Sequence, residues 1–561
     1  PRVVNEKNIW IMNSITQDVI KYGTGRKALE LQRTDLSGKT GTTNDQHDAW
    51  FSGFNSDIVT VGWVGFDKFR PLGKRETGGR AALPIWIDYM RTALKNTPKS
   101  IMQRPKGLIT VRIDSKTGEV TNPSNPDAMF ETFRLENAPK TSTNEKIDHF
   151  TVGNDRTHDL VLAPYDCIAS KAHAKMLGKI GLLTKKEVKD LSKVLDSIQK
   201  SADEGDFLIE KEFEDMHSKI EFLLIEKLGD LGKKIHTARS RNDQVLVALQ
   251  LYIKAELALV KKETISLFNL LLDLAKLHQN DLLPGYTHMQ VAMPSSFGLW
   301  FSAYAESLID DVTFLNTAQK LSDQNPLGSA AGFGSSFPID REMTTQDLGF
   351  ETLKYNVVAA QMGRGKIEKA TATSIGMLSG TLAKLAMDIC LYMGQDFNFI
   401  QFPEELTTGS SIMPHKKNPD VFELIRGKSN IIQGLPNQLA LLTSNLPSGY
   451  HRELQLAKGL IIDGIEDIKA CLDIFTFSLK EIQIREDILE DPKYQYVFSV
   501  DTLNEWVKEG MPFRDAYKKM GEAINKGDYH PKKTLDHTHL GSLGNLALDE
   551  IQNKMEQALN S

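Results

Sequence analysis

Apolar residues recur at helical spacing through most of the chain. Between residues 170 and 200 they return every three or four positions, which predicts two amphipathic helices. The apolar positions of this stretch are Leu177, Ile180, Leu183, Val188, Leu191, Val194, Leu195 and Ile198. Residues 214–229 repeat the pattern and predict a further helix.

Two longer helices are predicted downstream. No glycine or proline interrupts residues 233–283, so one helix of about 40 residues, roughly 60 Å long, is expected there. Residues 365–400 return to helical spacing with a stripe of methionine and leucine that we assign to the core. Repeated long helices with few strands indicate an all-α bundle over residues 145–561.

The beginning of the chain has a different pattern. Residues 1–95 alternate helix-like and strand-like stretches, and DIVTVGWVGF at 57–66 is rich in β-branched and aromatic residues. Residues 97–145 are rich in Pro, Asn, Ser, Thr and Lys, which is typical of a tail or linker. The predicted fold class is therefore mainly all-α, with an N-terminal fragment of α+β type.

Composition excludes several functional classes. The 561 residues carry a formal net charge of −6, which gives no reason to expect a nucleic-acid partner. No uninterrupted apolar run is long enough to span a bilayer and no signal peptide opens the sequence, so no membrane association is expected. Cys167, Cys390 and Cys471 lack metal-type or redox spacing. We expect buried thiols in a reducing compartment, the cytoplasm.

The most specific chemistry lies in TTGSSIMPHKKNPDVFE at residues 407–423. Glycine and proline at its two ends predict a shaped loop rather than a helix or strand. Ser410 is a candidate nucleophile or base, Lys416 a cation, Asn418 an amide and Glu423 a carboxylate. Such a set can bind a carboxylate and stabilise negative charge that grows on it during a reaction.

A second polar stretch, GKKIHTARSRNDQV, stands at the start of the predicted long helix. Ser240 and Asp243 have the spacing of a helix-capping box. Arg239, Arg241 and Asn242 lie beside the free backbone N–H groups expected at a helix start. This position suits an anionic group of a substrate.

Two further segments present polar side chains between helices. PGYTHMQVAMPSS at 284–296 breaks the long helix, and LPSGYHRELQLAKG at 446–459 follows the second one. The side chains that they present are Thr287, His288, Tyr450, Gln455 and Lys458. The glycine-rich turn at 325–338 lacks the lysine and hydroxyl residue of a phosphate loop.

These stretches together fit a reaction on a substrate with several carboxylates. Removal of a proton from a carbon next to a carboxylate gives a doubly charged aci-carboxylate, which N–H groups and a lysine must stabilise. A base takes that proton and an acid protonates the leaving nitrogen, while a mobile loop excludes water. No metal-ligand spacing, nucleotide loop or Schiff-base context occurs in the sequence, so we expect a lyase without a cofactor.

Residues 145–561 resemble the argininosuccinate lyases of the fumarase/aspartase superfamily. GSSIMPHKKNP at 409–419 is similar to the superfamily signature GSSxMPxKxNP. HTARSRND, GYTHMQ and the Tyr-x4-Gln-x2-Lys run at 450–458 favour argininosuccinate lyases over adenylosuccinate lyases, aspartases and fumarases. The resemblance implies reversible cleavage of argininosuccinate to arginine and fumarate, in arginine biosynthesis. It also implies a homotetramer in which three subunits contribute to each site.

The resemblance also implies residue roles. Ser410 and His288 form the acid–base pair, with the order of the two open, and Glu423 orients a histidine. Lys416 and Asn418 hold the substrate carboxylates and the aci-carboxylate. The substrate-binding positions are Arg241, Asn242, Thr287, Asn418, Tyr450, Gln455 and Lys458. One position departs from the family pattern, because FTVG places Gly153 where a substrate-binding serine usually stands.

Residues 1–135 resemble the C-terminal end of the transpeptidase domain of class A penicillin-binding proteins. The resemblance rests on SGKTGTTND at 37–45, with its Lys-Thr-Gly triplet, and on GTGRKAL, DAWFSGF and GGRAALPIWIDYM. No Ser-x-x-Lys occurs within residues 1–140, so the serine nucleophile needed for an acyl-enzyme is missing. We expect a catalytically inactive fragment.

Four domains follow from these patterns. They are the fragment and its tail (1–140), a helical N-terminal lyase domain (141–240), the long-helix bundle (241–490) and a small helical C-terminal domain (491–561). Three alternatives to an argininosuccinate lyase stay open. They are another superfamily lyase of the adenylosuccinate lyase or aspartase type, a non-catalytic crystallin-like protein on the same fold, and a transpeptidase.

Overall fold

The computed structural model describes residues 3–100, 102–121, 125–139, 145–533 and 535–560. They belong to two compact units, Pro1–Thr151 and Val152–Ser561, each with its own hydrophobic core.

The helices, numbered in chain order, are α1 (Glu6–Lys21), α2 (Leu83–Ala93), α3 (Glu145–Thr151), α4 (Asp155–Lys179), α5 (Lys185–Asp203), α6 (Met216–Leu228), α7 (Asp230–Lys233), α8 (Arg241–Leu277), α9 (Phe297–Ser322), α10 (Arg341–Asp347), α11 (Val357–Gln361), α12 (Lys366–Met393), α13 (Asp420–Ile432), α14 (Leu435–Leu442), α15 (Leu456–Leu479), α16 (Ser499–Lys508), α17 (Phe513–Lys526) and α18 (Leu548–Leu559).

The strands are β1 (Ser37–Thr42), β2 (Asp48–Phe54), β3 (Val59–Gly65), β4 (Leu108–Asp114), β5 (Ala128–Arg134), β6 (Leu282–Thr287), β7 (Gln290–Ser296), β8 (Gln324–Asn325), β9 (Thr352–Leu353), β10 (Ile400–Gln401), β11 (Thr408–Gly409), β12 (Lys417–Asn418) and β13 (Gln483–Ile484).

The first unit combines helices with an antiparallel sheet. Its strands lie in the order β1-β2-β3, and Lys39 on β1 is opposite Ser52 on β2. The core beneath the sheet contains Trp86 of α2, fully buried, whose ring meets that of Phe51 edge-on at 5.0 Å between centroids. Strands β4 and β5 form a separate hairpin within residues 97–145, so the prediction of a tail or linker there is wrong for this part. The likeness of this unit to a transpeptidase stays a prediction.

The second unit is mainly helical, as predicted. The long helix α8 has 37 residues, about 56 Å at the rise of an α-helix, and packs against α4, α9 and α15. The second long helix, α12, packs against α9, α13, α14 and α15. Because these helices are covered on most sides, their buried residues form one continuous core. A smaller cluster around Met520 joins α16 and α17.

One helix qualifies the expectation that nothing in the chain could span a bilayer. By length and composition alone, α12 is apolar enough to do so, with a mean hydropathy of 1.3 over its most apolar window. That window is 56% buried within the structure. A core helix of a bundle reaches the same hydropathy because neighbouring helices cover most of its faces.

Local structure differs from the sequence predictions at two polar segments. Residues 284–296 do more than break a helix, because β6 and β7 pair as an antiparallel hairpin. Within 407–423, the short strands β11 and β12 pair, and α13 begins at Asp420. Glu423 therefore lies in the first turn of a helix rather than in a loop. The three cysteines are free thiols, and Cys390 is only half-buried where a buried thiol was expected.

Candidate active site

Lys458 lies in the first turn of α15 and is almost completely buried, with its side chain 6% exposed. Its ammonium is 2.7 Å from Oδ1 of Asp155 and 2.6 Å from Oδ1 of Asp159, both on α4. Burial acts to lower the pKa of Lys458, but the two carboxylates outweigh it and the pKa lies above its usual value. The side chain is therefore a charged, doubly paired ammonium.

Arg241, the first residue of α8, contacts the start of α6. Its guanidinium lies 3.0 Å from Glu214 Oε2 and 3.1 Å from Asp215 Oδ2, and it donates to Ser218 Oγ at 2.8 Å. The other oxygen of Glu214 is 2.9 Å from Arg452, in the turn that carries Gln455. Glu214 thus joins the start of the longest helix to the segment containing Tyr450 and Gln455.

These contacts form two groups, one around Lys458 and one around Glu214, and we name the two groups together the charged cluster. Its members are Asp155, Asp159, Glu214, Asp215, Arg241, Arg452 and Lys458. Four carboxylates face three cations, so the cluster retains negative charge. Burial is the main reason that the pKa of Asp155 is raised, although Lys458 acts in the opposite direction.

The capping box predicted at the start of α8 is confirmed. Ser240 Oγ accepts from the backbone N–H of Asn242 at 3.3 Å, and Asp243 Oδ1 accepts from that of Ser240 at 2.9 Å. Asp243 does more than the sequence indicated. Its second oxygen accepts from the N–H groups of Gly328 and Ala330 at 3.0 and 2.9 Å. It therefore fixes the glycine-rich turn against the helix start.

Thr287 and His288 lie at the tip of the β6–β7 hairpin. Thr287 pairs with Gln290, which leaves His288 and Met289 as a two-residue turn. Both have positive φ, 52° and 60°, the left-handed conformation that this type of tight turn requires. For residues with a Cβ this backbone conformation is unfavourable in free energy, and such strained residues are often found at functional sites. The turn leaves the imidazole of His288 exposed.

Ser410 and Lys416 bound a loop of residues 410–416, which the β11–β12 pair closes. Thr408 pairs with Asn418, whose side-chain amide also donates to Thr408 Oγ1 at 3.4 Å. Ser410 Oγ accepts from the backbone N–H groups of Ile412 and Met413 at 3.3 and 3.1 Å. The loop is mostly exposed, so its side chains are available to a ligand.

The two lysines of this segment differ in their surroundings. Lys417 lies 3.3 Å from Glu404, whereas Lys416 has no ion pair within the described parts of the chain. Glu423, one turn into α13, is exposed and lies 3.8 Å from Arg426. Among the residues that the structure describes, its ion-pair partner is an arginine, and no histidine pairs with it.

The predicted site residues fall into three groups in a single chain. The charged cluster gathers Arg241 and Lys458 and lies beside Asn242, Tyr450 and Gln455. The hairpin carries Thr287 and His288, and the segment around the 410–416 loop carries Ser410, Lys416, Asn418 and Glu423. Across the described ranges, Thr287 and His288 make no hydrogen bond or ion pair to either of the other groups.

Some residues of functional interest escaped the sequence analysis. Arg364 and Glu368 form a fully buried ion pair of 2.8 Å at the start of α12. Arg364 also donates to the carbonyl of Leu454 at 2.6 Å and so fixes the turn that carries Gln455. The acidic pair Glu214–Asp215 could have been found from the sequence, because Asp215 stands just before a predicted helix, where an aspartate is a typical cap. In the structure it caps α6. The described residues contain no group of three or more His, Cys, Asp or Glu side chains that could hold a metal ion.

Comparison with known proteins adds to this geometry. Residues 127–434 match the protein family described as Lyase. Argininosuccinate lyase of Phocaeicola vulgatus is 53% identical over 417 residues, which cover 74% of this chain and 94% of that protein. The enzyme of Bacteroides fragilis is 52% identical over 416 residues, 74% of this chain and 93% of that protein.

Solved structures show the same fold. A fumarate lyase:delta crystallin from Brucella melitensis bound to cobalt matches with a TM-score of 0.60 at 16% identity, over 80% of this chain and all of that one (100%). An EDDS lyase variant with bound fumarate matches with a TM-score of 0.59 at 19% identity, over 71% of this chain and 86% of that one. These identities are low, so the likeness shows the fumarase/aspartase-like helical fold alone. The sequence relatives, at 53% and 52% identity, show more than the fold: the chain belongs to the argininosuccinate lyase family.

Proposed function

We propose that this chain cleaves argininosuccinate reversibly into arginine and fumarate, as a step of arginine biosynthesis and without a cofactor. The observation that carries the proposal is the 53% identity to an argininosuccinate lyase over 94% of that protein. The residues that the family resemblance assigns to catalysis, His288, Ser410, Lys416 and Glu423, are all present in this chain.

The proposed reaction is a β-elimination. A base removes a proton from the carbon next to a carboxylate of the succinyl part, and the electron pair moves onto that carboxylate to give the aci-carboxylate. The C–N bond then breaks, the electron pair forms the double bond of fumarate, and an acid protonates the nitrogen that leaves with arginine. Ser410 and His288 would supply the base and the acid.

Ser410 is the better candidate for the base. Its oxygen accepts two backbone N–H groups, from Ile412 and Met413. Hydrogen bonds to the charged form of a group favour that form, so these donors support an alkoxide at Ser410. The exposed His288 at the hairpin tip would then protonate the leaving nitrogen, with Glu423 of a neighbouring chain to orient it.

The two ends of argininosuccinate call for opposite charges. Lys416, which has no ion pair within the described residues, suits a succinyl carboxylate and the charge that develops on it. Asn418, Asn242 and Thr287 would add hydrogen bonds to the same end. The negative charge of the charged cluster suits the guanidinium end, where Tyr450, Gln455, Arg241 and Lys458 would position the remaining groups.

We also propose a homotetramer in which each active site draws on three chains. Within the described residues, Thr287 and His288 make no hydrogen bond or ion pair to the loop or to the charged cluster, which supports this. Large apolar side chains also stay exposed on the long helices of the bundle, and another copy could bury them. They are Leu259, Phe314, Leu321, Met377, Met387, Leu424, Ile431 and Phe477. Light scattering of the full chain tests the tetramer directly.

Two further proposals concern the first unit and the location. Lys39, in the Lys-Thr-Gly triplet, donates to the carbonyl of Thr40 at 2.8 Å on an edge strand. Without a Ser-x-x-Lys in residues 1–140, we propose an inactive transpeptidase-like fragment. Covalent labelling by a β-lactam would overturn this. A cytoplasmic location fits three free thiols, of which burial raises the pKa of Cys471 to about 11, and cell fractionation tests it.

The decisive experiment follows fumarate release from argininosuccinate by ultraviolet absorbance. We expect release by the full chain, and its loss in Ser410→Ala. Ser411→Ala is the matched control, because Ser411 is the exposed neighbour in the same loop. Adenylosuccinate and aspartate are tested in parallel for other superfamily activities. No release from any of the three would contradict the proposal and favour a crystallin-like structural role.

A further inference from the structure

A cleft of about 320 Å³ lies between α4, α5, α8 and α15 of the second unit. Its size is that of a pocket for a small organic molecule. The apolar part of its wall includes Pro164 of α4, and two tyrosines, Tyr165 and Tyr252, face each other edge-on with ring centroids 5.8 Å apart. None of the residues assigned to the reaction lines it.

The polar part of the wall is acidic. Three carboxylates line the cleft, from Asp203, Glu256 and Glu466. Beside them, Lys469 lies 2.5 Å from Glu256 Oε2 and 2.7 Å from Glu466 Oε1, so each of these glutamates keeps one oxygen free of that lysine. Gln199 also lines the cleft, next to Lys171, whose ammonium is already paired with Asp196 at 2.8 Å. The three carboxylates outnumber the single ammonium of Lys469, so the wall of the cleft carries net negative charge.

A buried hydroxyl of this cleft has no partner. Tyr252 is only 1% exposed, and its Oη makes no hydrogen bond within the described part of the chain. Burial raises the pKa of Tyr252, and Glu256 and Glu466 add to the effect, so the hydroxyl stays protonated. Buried polar groups in folded proteins normally have a partner, so this hydroxyl is available for a hydrogen bond to a ligand.

We propose that this cleft binds an alkylguanidinium, with the alkyl chain along Pro164 and the cationic head among the three carboxylates. A guanidinium is planar and presents several donors, so it can bond the free carboxylate oxygens and the oxygen of Tyr252 at once. The tyrosine rings add attraction for a cation. A neutral ligand of the same shape would make no ionic contact with these carboxylates.

Two helices that line the cleft, α8 and α15, also carry residues of the candidate active site. Tyr252 and Glu256 lie on α8, which begins at Arg241, and Glu466 lies on α15, which carries Lys458 in its first turn. Because arginine contains an alkylguanidinium, the product of the proposed reaction is a candidate occupant. That last link rests on the proposed function, whereas the preference of the cleft for a cation does not.

The test is titration calorimetry of the full chain carrying Ser410→Ala, with butylguanidinium as the probe. The neutral probe of the same shape is butylurea. We expect butylguanidinium to bind and butylurea to bind at least about tenfold more weakly, because the neutral probe cannot make charge-assisted hydrogen bonds to the carboxylates. Equal affinity for the two probes, or no heat with butylguanidinium at millimolar concentration, overturns the proposal.

Two substitutions locate the site. Tyr252→Phe removes only an unpartnered hydroxyl, so the protein folds as before, while affinity for butylguanidinium falls about threefold to tenfold, the value of one hydrogen bond. Asp203→Asn weakens binding too, whereas Asp206→Asn, an exposed acid three residues further on and outside the cleft lining, does not. Unchanged affinity in both Tyr252→Phe and Asp203→Asn overturns the assignment. Fumarate release is measured separately with unmodified Ser410, so failure of the lyase proposal and failure of this one are distinguishable.

Discussion

The ammonium of Lys458 lies 2.6 Å from Oδ1 of Asp159, although the two residues are 299 positions apart in the chain. Asp159 is itself fixed, since its second oxygen accepts from the backbone N–H of Met216 at 3.0 Å. A lysine that the sequence assigned to substrate binding is therefore already neutralised inside the protein. Its first effect is to hold α15 against α4, and through this contact it shapes the charged cluster.

Lys458→Met is expected to lower the free energy of unfolding by about 3–5 kcal/mol, because it leaves two buried carboxylates without their cation. The measurement is chemical denaturation of the full chain. Lys428→Met is the control, since Lys428 forms an ion pair with Asp467 at the surface, where such pairs contribute about 0–1 kcal/mol. A similar, small loss in both variants would show that the buried pairing does not stabilise the fold.

The neighbouring lysines Lys416 and Lys417, at the end of the 410–416 loop and the start of β12, are expected to differ in catalysis. Lys416→Met should lower kcat/KM for fumarate release by about 100-fold or more, the usual effect of removing a group that stabilises developing charge. Lys417→Met should change it only a few-fold, because Lys417 is paired with Glu404. Both side chains are exposed, so the melting temperature should stay the same. Equal losses in the two variants would contradict the role assigned to Lys416.

Arg364→Met is expected to destabilise the fold and to reduce activity. It leaves Glu368 as a buried, unpaired carboxylate, which costs about 3–5 kcal/mol, and it removes the donor to the Leu454 carbonyl beside Gln455. Denaturation and fumarate release are measured on the same samples.

The double variant Arg364→Met with Glu368→Met separates the two effects. Stability should largely return, because no buried charge remains unpaired. The Michaelis constant should stay raised, since the turn carrying Gln455 still lacks its anchor. Full recovery of both would mean that Arg364 has no part in positioning that turn.

Stability is expected to fall as the pH rises above 6.5, because of His217. Burial lowers the pKa of this imidazole, but Asp166, 3.1 Å away, and Asp215 outweigh it, so the pKa is raised above 6.5. A raised pKa in the folded state stabilises the protein below the unfolded value, and this contribution is lost as the pH rises through the folded value. The slope reaches about 1.4 kcal/mol per pH unit for one proton.

The free energy of unfolding of the full chain and of His217→Gln is measured as the pH rises above 6.5. The decline in stability seen for the full chain should be absent from the variant. His173→Gln is the comparison of opposite sign. His173 is buried and its pKa is lowered well below 6.5, so its substitution should remove a loss of stability in acid and leave the slope above 6.5 unchanged. If stability still declines above pH 6.5 in His217→Gln, groups other than His217 cause the decline.

Removal of residues 1–140 is expected to leave fumarate release within a few-fold of that of the full chain. The hydrophobic core of the second unit is formed by its own residues, from Leu162 to Met555. The structure therefore gives residues 152–561 a core that does not depend on the first unit. Loss of all activity in the shortened chain would mean that the first unit contributes to the site or to assembly.

Local patterns determined much of the second unit. Helical spacing placed α5 and α6, the absence of glycine and proline predicted the long α8, and Ser240 with Asp243 marked its start. These features depend on contacts between residues a few positions apart, which spacing and capping rules describe directly. The motif residues of the site, such as Ser410 and Lys416, were recognised in the same way.

Other features depended on the path of the whole chain. The sequence could not show that His288 occupies a left-handed turn of a hairpin or that Glu423 lies in the first turn of a helix. Nor could it show that, among the described residues, Lys417 has an ion pair and Lys416 has none. It also could not pair Lys458 with α4 or connect Arg452 to Arg241 through Glu214. By itself, then, the sequence determined the helices and the chemical groups available. Only packing of α4, α6, α8 and α15 against one another decided which charges are neutralised, because side chains hundreds of residues apart meet only in the folded core.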